Sequence, residues 1–151
     1  LSPAVRGSVC GAVGTAGQRC TTTRRVLVHK KIADKLQARL VKAYKSCKIG
    51  NPFDKKTLVG PLVDEGSATA FQEAVAEAKK QGGKVVQGGK RARVAPGIKG
   101  GAYVQPTIIR CPQTLPLCTA ETFAPILEAL GEKLGVIERC QQMRQRRRMG
   151  A

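Results

Sequence analysis

Apolar residues recur along this chain at two spacings. Ile32, Leu36, Leu40, Ala43, Tyr44 and Cys47 fall at helical spacing, as do Ala70, Phe71, Ala74, Val75 and Ala78. The first run predicts a helix near 32–47, ended by Gly50-Asn51-Pro52, and the second a helix near 68–80, stopped by Gly82-Gly83. Shorter apolar runs at 25–29 and 84–87 read as strands, and so do residues 103–109, where Pro106 predicts an edge or a bend. Residues 3–18, rich in Ala, Gly and Val, predict a small-residue helix packed closely on a neighbour and loosening into a loop at Cys20. Helices that alternate with short strands predict an α/β architecture. Past Leu127 the pattern changes: residues 128–151 read as helical but poorly amphipathic, and they end in Arg144, Arg146, Arg147 and Arg148. The expected division is therefore a folded part at 1–127 and a basic tail at 128–151.

Charge changes the picture next. The 151 residues carry 27 Lys and Arg against 10 Asp and Glu, a formal net of +17. Residues 131–151 hold six basic and two acidic residues, and setting that +4 aside leaves +13 on the rest. On the first helix Lys35, Arg39, Lys42 and Lys45 share a face offset only by Asp34. A field of this kind attracts a polyanion: nucleic acid, an anionic membrane or an acidic partner. RNA contacts would go to the backbone, because aromatics are only 3% of the chain and leave little for base stacking. Arg144, Arg146, Arg147 and Arg148 join the four helix cations as candidate polyanion contacts. Gly97-Ile98-Lys99-Gly100 has the G-x-x-G form of an RNA-binding loop but lacks the flanking helices. No apolar run approaches the ~20 residues of a membrane span.

The six cysteines show no C-x-x-C spacing and no adjacent His, so no metal site is expected and a reducing, intracellular setting is. The sole histidine, His29, reads as structural. Chemistry concentrates in Gly14-Thr15-Ala16-Gly17-Gln18-Arg19-Cys20-Thr21. A cysteine after a Gly-rich loop presents a nucleophile beside a backbone N–H able to steady an oxyanion, and Arg19 favours the thiolate. A buried structural cysteine is the commoner case, and these facts leave both open.

The run GTAGQRCTTTRR closely resembles the nucleophile loop of antiquitin-type aldehyde dehydrogenases, the family 7 group. The resemblance continues through Lys48-Ile49-Gly50-Asn51-Pro52-Phe53-Asp54, Val59-Gly60-Pro61-Leu62, Glu73-Ala74-Val75-Ala76-Glu77-Ala78-Lys79-Lys80 and Tyr103-Val104-Gln105-Pro106-Thr107-Ile108. It ends at Glu121-Thr122-Phe123-Ala124-Pro125-Ile126-Leu127, where most of the superfamily has F-G-P and the Ala124 form is typical of the antiquitin group. The fold implied is part of a dehydrogenase catalytic domain, a Rossmann-like sheet with flanking helices. The reaction implied is NAD-dependent oxidation of an aldehyde, for antiquitin a semialdehyde of lysine breakdown. Cys20 matches the attacking thiol, Glu121 the residue that holds the nicotinamide ribose, and Phe123 the residue that lines the nicotinamide pocket.

In the family the cofactor domain, the general-base Glu and the oxyanion Asn lie N-terminal to this region, and these 151 residues include none of them. The first residue is Leu1, not Met, which leaves room for an upstream part and gives no targeting segment to read. The expectation is a fragment that binds no NAD and turns over no aldehyde by itself, completed by the remaining dehydrogenase chains, mitochondrial or cytosolic. A second reading is a basic module recruited into a ribonucleoprotein such as an organelle ribosome. A third is a product whose frame is lost after Leu127.

Overall fold

The computed structural model describes residues 2–94, 100–112 and 115–132. Helix α1 (Ser2–Val13) leads through a 3-10 turn (Gly14–Gly17) and a loop into strand β1 (Arg25–His29) and helix α2 (Lys30–Lys45). Helix α3 (Glu65–Lys80) and strands β2 (Lys84–Gln87), β3 (Thr107–Cys111) and β4 (Ile126–Glu132) complete the order, with a 3-10 turn at Pro116–Thr119. The four strands form one mixed sheet in the order β1-β4-β3-β2. The pairs β1–β4 and β4–β3 are parallel, and β3–β2 is antiparallel.

The helices form where the apolar spacing places them, starting two or three residues earlier than the pattern alone indicates. Their caps set those starts. The His29 ring accepts the Lys31 N–H at the head of α2, and the Asp64 carboxylate accepts the Ser67 N–H at 2.6 Å at the head of α3. Helix α2 buries Ala33, Leu36, Leu40 and Tyr44 against the sheet, and α3 buries Ala68, Phe71, Ala74, Val75 and Ala78. Between α2 and the sheet lies a small gap lined by Val26, Val28, Leu36, Leu40, Ala129 and Gly131.

The sheet corrects the sequence reading in two places. The stretch from Glu128, read as the start of a helical tail, is strand through Glu132 and lies inside the sheet, so the boundary after Leu127 falls within β4. Its composition, Ile-Leu-Glu-Ala-Leu-Gly-Glu, favours helix locally, but a parallel strand with neighbours on both sides is selected by burial and not by propensity. Residues 103–106 lie outside β3, which begins after Pro106 at Thr107 and is an inner strand rather than an edge. Arg144, Arg146, Arg147, Arg148 and the Gly97-Ile98-Lys99 part of the G-x-x-G motif lie outside the described residues.

One buried charge sits within the sheet. Glu128 is 7% exposed, and Arg25 stands opposite it in the β1–β4 register. Arg25 Nε donates to Glu128 Oε2 at 3.1 Å, and Arg25 also donates to the Ala120 carbonyl. A buried carboxylate persists when it is paired and hydrogen-bonded in this way.

Candidate active site

The site begins with a short run of unusual backbone. Thr15 and Ala16 both have φ of 52°, and Gly17 follows at 71°. Left-handed geometry is costly for a β-branched residue such as Thr15 and free for Gly17. Gly17 also has no room for a side chain, because a Cβ there would overlap the Ala124 carbonyl. The Gly14–Thr21 loop and the Glu121–Leu127 motif, far apart in sequence, therefore touch backbone to backbone.

Gln18 ties the loop to a third motif. Its Oε1 accepts the Val63 N–H at 2.9 Å, and its Nε2 donates to the Thr15 carbonyl at 3.3 Å and, more weakly, to the Pro61 carbonyl. Cys20 then occupies a tight turn closed by the Thr22 N–H on the Arg19 carbonyl at 3.0 Å and the Arg19 N–H on Thr22 Oγ1 at 3.1 Å. Cys20 is exposed, and its N–H meets no acceptor among the described residues. The Thr23 N–H, bonded to the Gly11 carbonyl, returns the chain to α1. Arg19, expected to attend the thiol, turns its Nε onto Thr15 Oγ1 at 2.7 Å and lies against Gly14.

Glu121 and Phe123 stand on the segment that enters β4, and both are exposed, Phe123 at 45%. What joins them to the loop is Arg24. It donates from Nε to Glu121 Oε1 at 3.1 Å and from Nη1 to the Thr122 carbonyl at 2.7 Å, and it reaches the Gly17 and Arg19 carbonyls at 3.4 Å. Its guanidinium lies 5.0 Å from the Phe123 ring centroid. The sequence reading missed both Arg24 and the bridging amide of Gln18. Both lie inside the motif run, but the partners they tie the loop to lie 43 to 98 residues away, and no local pattern encodes that distance.

The other thiols have different surroundings. Cys111 and Cys118 are buried and free, and the hydrogen bond between them, with burial and nearby Glu128, pushes the Cys111 thiol far above its ordinary range. Burial, then Cys10, raises Cys47. Among the described residues no group of three or more His, Cys, Asp or Glu is arranged to hold a metal, and no helix is long and apolar enough to cross a membrane. Lys35, Arg39, Lys42 and Lys45 are exposed on α2 and make no ion pair among the described residues; Asp34 is engaged by Arg110 of β3 at 2.7 Å.

The loop that carries Cys20 and the segment that carries Glu121 and Phe123 pack together beside a mixed sheet, and comparison with known proteins gives the class. The model of the aldehyde dehydrogenase family matches residues 1–131, and the chain belongs to that family. Within it, the chain is 46% identical over 123 residues to a putative aldehyde dehydrogenase family 7 member A1 homolog of Dictyostelium discoideum, which covers 82% of this chain and 23% of that protein. It is 46% identical over 128 residues to the alpha-aminoadipic semialdehyde dehydrogenase of Bos taurus, covering 84% of this chain and 23% of the bovine one. Among solved structures it is similar to an aldehyde dehydrogenase from Bacillus cereus, with 30% identity, a TM-score of 0.82 and coverage of 91% of this chain and 28% of the other. Betaine aldehyde dehydrogenase from Staphylococcus aureus in complex with NAD+ gives 30% identity and a TM-score of 0.82, covering 87% of this chain and 26% of that one. The antiquitin-type grouping read from the motifs holds, and the chain spans about a quarter of the length of these relatives.

Proposed function

We propose that this chain carries the nucleophile-bearing segment of an NAD-linked aldehyde dehydrogenase, with Cys20 as the attacking thiol. The observation that carries this reading is the packing of Gly17 on Ala124, which brings the exposed Cys20 turn and the Glu121–Phe123 segment onto one surface. Cys20 Sγ adds to the aldehyde carbon to give a hemithioacetal, its thiol proton passing to solvent or a base. Loss of hydride from that carbon leaves a thioester, and water then releases the acid and restores the thiol. The Cys20 N–H, engaged by no acceptor among the described residues, suits the developing oxyanion.

The residues present fit the dinucleotide. An exposed carboxylate accepts hydroxyl hydrogens of a ribose, and a ring two residues on offers a face to a flat heterocycle. Glu121 and Phe123 would hold the cofactor, and NAD, when bound, supplies the hydride acceptor. An aminoadipic-type semialdehyde is the substrate class that the bovine relative's name supports.

These 151 residues by themselves are expected to be inactive, because the general base and cofactor domain of the family are not among them. Assay of NADH formation on the chain alone, and again with the preceding dehydrogenase segments of a family 7 relative supplied, tests both parts. The expected result is no turnover alone and Cys20-dependent turnover when completed. Steady turnover by the chain alone overturns the inactivity, and activity that survives Cys20→Ser in the completed enzyme overturns the assignment of the nucleophile.

A second reading has one observation in its favour: Lys35, Arg39, Lys42 and Lys45 have no ion pair among the described residues, while Asp34 is neutralised by Arg110. The apolar face of α2 is buried against the sheet, so only its exposed cations are offered to a partner, and a phosphate backbone, RNA first, is a polyanion that fits them. Filter binding of RNA at two salt concentrations checks it. Binding should fall with a slope of about −0.7 to −0.9 per phosphate contact, and absence of binding at about 0.15 M salt removes this reading.

A further inference from the structure

We propose that Arg24 is a positioning residue that sets the Cys20 turn and the Glu121–Phe123 segment as one unit. The inference rests on the dehydrogenase reading for its purpose but not for its test. Guanidinium offers five donors in a rigid fork. Here its nitrogens reach Glu121 and the Thr122 carbonyl on one side, and the Gly17 and Arg19 carbonyls on the other. Gly17 and Arg19 are the residues on either side of Gln18, and Arg19 is the carbonyl that closes the Cys20 turn. The guanidinium also lies near the Phe123 ring, so the ring face turned from Arg24 is the one open to a ligand.

The strand does not need this side chain to hold its place. The Arg24 carbonyl accepts the Glu128 N–H at 2.8 Å, and the neighbouring Arg25–Glu128 pair locks β1 to β4. Truncating Arg24 therefore removes the side-chain link between the segments and leaves the sheet and the Gly17–Ala124 backbone contact. A lysine keeps the charge and can still meet Glu121, but a single ammonium cannot reach acceptors on both segments at once. The consequence for chemistry is that the Glu121 carboxylate and the Cys20 thiol move together or not at all.

Native-state hydrogen exchange on the 151-residue protein tests this through the amides of Gln18, Thr22 and Ala124, each hydrogen-bonded within one of the two segments. In Arg24→Met all of them are expected to exchange about tenfold faster while the α3 amides stay unchanged. Arg24→Lys is expected to lie between Arg24→Met and wild type. Alkylation of Cys20 by iodoacetamide, read against exposed Cys10 in the same molecules, should change severalfold in Arg24→Met and recover in part in Arg24→Lys. Acceleration in one segment alone, acceleration everywhere or no change overturns the proposal. Should Arg24→Met fail to fold, the wild-type protein decides: the three amides must open with one common free energy, and distinct values overturn the coupling. None of these measurements requires turnover, so a failed coupling leaves the nucleophile assignment standing, and an inactive completed enzyme leaves the coupling standing.

Discussion

Arg24 and Arg25 turn their guanidinium groups inward, onto Glu121, Glu128 and backbone carbonyls, whereas Lys35, Arg39, Lys42 and Lys45 remain on the exposed face of α2 with no ion pair among the described residues. Both groups contribute to the same positive excess in the sequence. The difference lies in geometry: β1 delivers its first residues to the line where β4 enters the sheet, while the α2 cations project from the side of the helix opposite its buried Leu36, Leu40 and Tyr44. Inward cations organise the candidate site and carry stability. Outward ones carry little stability and act only on partners. Composition alone cannot separate these roles.

The comparison is broken most severely at Arg25. Arg25→Met leaves Glu128 buried without its cation and should cost about 3–5 kcal/mol, lowering Tm by roughly 10 °C in a domain of this size. Thermal unfolding of Arg25→Met, Glu128→Gln and the double variant should show the double recovering part of the loss, since the pair is coupled. Next in size is Gly17→Ala, which meets both the left-handed backbone and the Ala124 carbonyl. It should cost about 1–3 kcal/mol of unfolding free energy, read from denaturant titration, and separate the two halves of the site. Reversing Lys35, Arg39 and Lys42 to Glu should change stability by less than about 0.5 kcal/mol per site while flattening any salt dependence of RNA binding by two to three contacts' worth, about 0.7–0.9 each. A large stability loss there would erase the contrast between inward and outward cations.

The smallest effect belongs to an acid rather than a base. Asp64 caps α3, and the Ser67 N–H holds its carboxyl below the ordinary carboxylate range. A depressed folded value stabilises the protein above the unfolded Asp range, near ~3.9, and that stabilisation is lost as pH falls through the lower folded value. Asp64→Asn keeps an N-cap acceptor but no titration. Unfolding midpoints of the two proteins should therefore converge as pH drops through that window.

Much of the fold was legible because the helices obey simple periodicity: Leu36, Leu40 and Tyr44, and Phe71, Ala74, Val75 and Ala78, are buried as the pattern predicts, whereas Ile32 and Ala70, named by the same spacing, are exposed. β4 was not legible, because Glu128 and Glu132 flank a short run with helical preferences and its burial depends on strands far away in sequence. Motif resemblance named Cys20, Glu121 and Phe123 as candidates, and the structure sets the Cys20 turn and the Glu121–Phe123 segment on either side of Arg24. Arg24 was not legible, since a guanidinium among so many surface cations shows nothing of its partners until Glu121 and Thr122, 97 and 98 residues on, are placed beside it.

The proposed nucleophile is Cys20 and no other thiol in this segment. The most direct measurement is the steady-state rate of aldehyde-dependent NADH formation by the dehydrogenase that contains this segment, compared with its Cys20→Ala and Cys10→Ala variants. Cys10 is the matched control, exposed on α1 and outside the loop. A loss of kcat of about a thousandfold or more is expected for Cys20→Ala, with near-wild-type rates for Cys10→Ala. Comparable rates in the wild type and Cys20→Ala would contradict that assignment.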